Sequence, residues 1–141
     1  MASNLTPSPL RTKPSDAEKI TINLGYVDLG QIDLLVSEGF YSNRTDFIRT
    51  AIRNQLGVHG DTVKQVVARK TLVLGLQHFT AADLEAVRRS GQPLDIRVLG
   101  LATIAADVSP ELAQAAIASI TVLGALHASP AVKAALADRL H

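Results

Sequence analysis

One short segment of this 141-residue chain limits what it can fold into more than any other. Lys19-Ile20-Thr21-Ile22-Asn23-Leu24 alternates polar and apolar residues without a break, the period of a half-buried β-strand, and no companion strand follows it. Gly25 ends the alternation and the spacing becomes helical, with Leu29, Ile32, Leu35 and Val36 on one face. Asp28 is the expected N-cap of this helix and Gly39 its expected C′ residue. After Phe40-Tyr41, Ser42 is the expected N-cap of a second helix, whose stripe of Phe47, Ile48, Ala51, Ile52 and Leu56 is closed by Gly57. A lone strand leaves its backbone donors unpaired, and a unit this small buries little apolar surface. Two copies pairing their strands antiparallel remove both difficulties. The expected dimer core is Ile20, Ile22 and Leu24 with Phe47, Ile48 and Ile52, which leaves Lys19, Thr21 and Asn23 on the outer side of a two-stranded ribbon.

The second half carries a repeat. Val73-Leu74-Gly75-Leu76, Val98-Leu99-Gly100-Leu101 and Val122-Leu123-Gly124-Ala125 are near copies, with glycines 25 and 24 residues apart. Helix starts follow at Thr80-Ala81-Ala82-Asp83, Ser109-Pro110-Glu111 and Ser129-Pro130-Ala131; Ser before Pro at the first helical position is a specific signal. One strand and one helix per mid-twenties period predicts a small solenoid-like stack of strand-helix units. Leucine-rich repeats have a similar period, but their asparagine position is missing here. The strands have two routes to a sheet, within one chain or between chains.

Residues 1–17, with Thr6-Pro7-Ser8-Pro9 and Pro14-Ser15, are expected to form a flexible arm, and its Arg11 and Lys13 are candidates for touching DNA phosphate or a minor groove. Residues 58–70 are expected to be a connector. The 47% apolar content excludes a mostly disordered chain, and no run of 18 apolar residues predicts a membrane span. The absence of cysteine rules out disulfides, and a cytoplasmic location is expected. His59, His78, His127 and His141 lack ligand spacing, and no catalytic triad, carboxylate pair or phosphate loop is present, so no metal, cofactor or enzymatic activity is expected. Charge gives no hint of nucleic acid. The whole chain is +1, and residues 1–60 balance six basic against six acidic side chains.

The alternating segment, followed by Glu38-Gly39-Phe40-Tyr41-Ser42-Asn43-Arg44-Thr45-Asp46-Phe47-Ile48-Arg49, resembles the ribbon-helix-helix family of the Arc and CopG repressors over about 40 residues. The resemblance implies a ribbon-helix-helix dimer module at residues 18–57, and with the strand-helix repeat domain read at 71–141 the expected fold is α+β. It implies double-stranded DNA as partner, read through bases by Lys19, Thr21 and Asn23, with a phosphate held by the helix start at Ser42, Asn43 and Arg44. Lacking clustered histidine and cysteine, the chain does not match the metal-sensing members. The function implied is a transcriptional regulator acting as a homodimer, with residues 71–141 expected to extend it to a tetramer or larger. Two alternatives stay open: an assembly protein that uses the fold only to dimerise, and an antitoxin-type regulator.

Overall fold

The computed structural model describes residues 17–141, which form two compact units divided between Val66 and Val67. All but the last residue of the expected arm, Arg11 and Lys13 included, lies outside the described residues.

In the first unit, helix α1 (Tyr26–Ser37) and helix α2 (Arg44–Val58) follow an open segment, residues 17–25. Helix α1 begins earlier than the sequence indicates. Gly25 is its N-cap, without a side-chain bond, and Asp28 sits in the first turn, where its charge suits the positive end of the helix dipole. Its C-terminus is as expected. Gly39 adopts φ +87°, Gly39 N–H donates to Val36 O (3.1 Å) and Phe40 N–H to Leu35 O (3.0 Å), the paired bonds of a Schellman turn. Ile32 is the one buried apolar residue described in this unit, with Leu29, Leu35 and Val36 half-buried beside it. Gly57 does not close α2, which runs on to Val58. After His59 the chain turns at once into helix α3 (Gly60–Arg69), so most of the expected connector is helical.

In the second unit, strands β1 (Val73–Phe79), β2 (Leu94–Ile104) and β3 (Ile117–His127) form a parallel sheet in the order β1-β2-β3. Helices α4 (Ala81–Ser90) and α5 (Pro110–Ala116) make the crossovers, and α6 (Pro130–Ala135) follows β3. The starts are capped as the sequence indicates. Thr80 and Asp83 exchange a capping box, Ser109 accepts from Leu112 N–H, and Ser129 accepts from Val132 N–H. Leu84, Leu112, Ala113, Ala116, Val132 and Leu136 pack on one sheet face against Ile96, Val98, Ala102, Ile104, Ile117 and Ile120. On the strand positions that alternate with these, Leu74, Leu76 and Leu123 stay exposed.

The register sets Gly75 beside Gly100 and Gly100 beside Gly124. All three have positive φ, +128°, +140° and +119°. A Cβ on Gly100 would lie 3.0 Å from the Gly75 carbonyl carbon and nearer still to its oxygen, and one on Gly124 would meet the Gly100 carbonyl in the same way. The Gly75 and Gly100 carbonyls are thus lodged against the bare Cα of the glycine on the next strand. That close approach requires glycine at positions 100 and 124, while Gly75 shares only their positive φ.

Candidate nucleic-acid interface

Among the described residues, no strand pairs with residues 19–24. Ile20, Ile22 and Leu24 are 72%, 56% and 40% exposed, an apolar series that a single copy leaves in water. Lys19, Thr21 and Asn23 are exposed as well. Of the remaining expected core, Phe47 and Ile48 are half-buried, and Ile52 is exposed. Phe47 is held by an edge-to-face contact with Tyr41 at 5.0 Å between ring centroids.

The start of α2 differs from the sequence expectation in its cap. Asn43, not Ser42, is the N-cap, and its side-chain oxygen accepts from Asp46 N–H at 2.8 Å. Asp46 returns the bond one residue further back, its carboxylate accepting from Ser42 N–H at 2.9 Å. The spacing Asn43-x-x-Asp46 was the available signal, since an acidic residue three positions after a cap completes a reciprocal pair. A carboxylate therefore already occupies one amide of the expected phosphate position.

Arg44 has a partner that the sequence does not reveal. Its guanidinium forks onto Asp33 of α1, Nε to Oδ1 at 2.8 Å and Nη2 to Oδ2 at 2.9 Å. The two helices are tied across the turn, and Arg44 remains about half exposed. The hydrogen bond from Arg44 holds the Asp33 carboxyl below its ordinary value of 3.8 and raises Arg44 in return. A carboxylate depressed in the folded state contributes stability above the ordinary aspartate value, lost as pH falls through the lower folded value. Asp33→Asn should therefore lower the unfolding midpoint at neutral pH, and the gap from wild type should shrink on acidification below the ordinary aspartate value; a gap independent of pH down to 2 would remove this role from the pair.

Arg49 and Arg53, one turn apart on α2, border an open depression of about 280 Å³ with Ile52 between them. Among the described residues, no three histidine or acidic side chains converge as metal ligands, and no helix is long and apolar enough to cross a membrane. The arrangement offers an exposed alternating segment, polar at Lys19, Thr21 and Asn23 and apolar at Ile20, Ile22 and Leu24, and a capped helix start with one basic side chain already paired.

No curated protein and no solved structure matches the chain. The model of the Ribbon-Helix-Helix transcriptional regulator family matches residues 15–133. The match starts just before the alternating segment, continues through all three strands and ends inside α6, so most of the strand-helix half falls within the family's own extent. By this match over most of its length, the chain belongs to the ribbon-helix-helix transcriptional regulator family.

Proposed function

We propose that the protein is a cytoplasmic, homodimeric, sequence-specific DNA-binding regulator of transcription. The observation that carries this reading is the alternating segment 19–24, which has no strand partner among the described residues, in a member of a regulator family. Two such segments paired antiparallel make a ribbon that fits a major groove. Lys19 then donates to guanine or phosphate, Asn23 bonds adenine through both its side-chain polar atoms, and Thr21 contacts a base edge. The backbone amides around Asn43 and Arg44 take a phosphate at the positive end of α2, with Ser42 and Asp46 fixing the turn. The strand-helix unit acts as a short solenoid that couples dimers, raising affinity for tandem sites through effective concentration.

The test is a salt titration of binding to genomic fragments. Wild type should bind with an affinity that falls steeply with salt. The combined Lys19→Ala, Thr21→Ala and Asn23→Ala variant should stay folded and lose sequence preference, at about 1–3 kcal/mol per lost base contact. Binding unchanged in that variant would exclude this face as the reading surface.

A second reading, an assembly protein that uses the fold only to dimerise, draws support from the pairing of Arg44 with Asp33 and of Ser42 N–H with Asp46. It predicts negligible DNA binding at any salt concentration.

A further inference from the structure

We propose that a second copy of this chain docks the free part of its β3 edge onto the β1 edge, parallel and with its Gly124 set against Gly75. This deepens the coupling role given above to the strand-helix unit and rests on that role for its meaning in DNA binding, though not for its geometry.

The glycine series carries the inference. Within the chain, the Gly75 carbonyl lodges against bare Gly100, and the Gly100 carbonyl against bare Gly124. The series is directional, so its two ends differ. At the β3 end no following strand among the described residues receives the Gly124 carbonyl, because β3 ends the sheet they form. At the β1 end, Gly75 keeps the same left-handed conformation, yet a Cβ built there meets nothing within 4 Å. One end supplies the carbonyl and the other the vacant approach, so a second copy in the same register continues the pattern.

The open lengths also agree. The early part of β3 is covered by the end of the chain, where Leu140 bridges Ile120 and His141 N–H donates to Ile120 O at 2.8 Å. Among the described residues, none pairs as a strand with 122–127 on that side, and through β2 they are the positions aligned with residues 73–78 of β1. Neither stretch, Val-Leu-Gly-Leu-Gln-His or Val-Leu-Gly-Ala-Leu-His, contains an Asp, Glu, Lys, Arg or Pro of the kind that protects sheet edges. Leu74, Leu76 and Leu123 are exposed along them. The alternative of β1 against β1 would face two bare glycines and leave the Gly124 carbonyl unused. Head-to-tail contacts of this kind are heterologous and give rings or open rows rather than a closed pair.

The cysteine-free sequence allows a clean test by cross-linking of the full chain without DNA. In the proposed register, Leu74 of one copy lies beside Leu123 of the next, within disulfide reach, whereas inside one chain these residues are two strands apart. A chain carrying both Leu74→Cys and Leu123→Cys should give a ladder of covalent oligomers on mild oxidation. Either single variant alone should give none, and a mixture of the two should give covalent dimers. Adding Gly75→Ala to the double variant should reduce the ladder at least tenfold. Efficient cross-linking by Leu74→Cys alone would mean β1 paired with itself, and absence of any ladder at concentrations where sedimentation shows only dimers would equally overturn the proposal. Loss of DNA binding in the Lys19, Thr21 and Asn23 variant leaves this readout unaffected, so the two readings fail separately.

Discussion

Gly100→Ala and Gly124→Ala are expected to destabilise the 67–141 unit far more than Gly75→Ala. All three substitutions place a side chain at positive φ, which costs about 1–3 kcal/mol. Only the first two also drive a Cβ into the backbone carbonyl of the adjacent strand, an obstruction that no rotamer change relieves. Relief requires strands to separate, with loss of ladder bonds and core contacts, so a total of about 4 kcal/mol or more is expected. For a unit of this size that is a large share of its stability. Urea titration by far-ultraviolet circular dichroism, at low protein concentration so that association does not contribute, should give the order Gly75→Ala well above Gly100→Ala and Gly124→Ala. Equal midpoints for the three would show that backbone conformation alone, not the close approach, sets the cost.

Ile22→Asp is expected to abolish the dimer. Ile22 is the middle of the three apolar residues in the alternating segment and is 56% exposed in a single copy. Antiparallel pairing of two segments would bury it near its own symmetry mate, so the variant places two carboxylates in one apolar interface. The charge is unpaired and repelled, a change of several kcal/mol and on the order of a thousandfold in dimer dissociation. Thr21→Asp, on the opposite side of the same strand, should leave the dimer intact. Sedimentation of the two variants checks the pair, and an Ile22→Asp chain that remains a folded dimer would reject the ribbon.

Local signals were read well from the sequence and longer-range ones were not. Thr80, Ser109 and Ser129 could be identified as caps because each bonds an amide three residues away, within reach of a sequence pattern. The same logic slipped at α2, where Ser42 and Asn43 are both good caps and the choice falls to Asp46, three residues after Asn43. The expected stop at Gly57 and connector at 58–70 miss a nearly continuous helical stretch, since Gly57 is inside α2 and Gly60 opens α3. The Asp33–Arg44 fork joins residues eleven apart across a turn, and no local periodicity encodes it. The glycine repeat was visible as spacing, whereas its positive φ and the seating of each carbonyl depend on three strands being side by side. At the candidate interface, the alternation of residues 19–24 is legible in the sequence, whereas the engagement of Arg44 by Asp33 and of the Ser42 amide by Asp46 is not.

The nearly equal spacing of the strands bears on how the second unit assembles in time. Pairing β1 with β2 closes a loop 25 residues long, and pairing β2 with β3 closes one of 24. Loop-closure entropy grows only with the logarithm of length, so the two steps carry the same entropic penalty. Side-chain content then decides their order. Strands β2 and β3 run together from Leu94 to Thr103 and bury Ile96, Val98, Ile117 and Ile120, whereas β1 adds residues that stay largely in water. The pair made last in synthesis is thus expected to condense first, with β1, although earliest of the three off the ribosome, joining it afterwards. Until then its apolar run is an unfolded-state exposure whose duration is set by the time taken to translate the rest of the sheet.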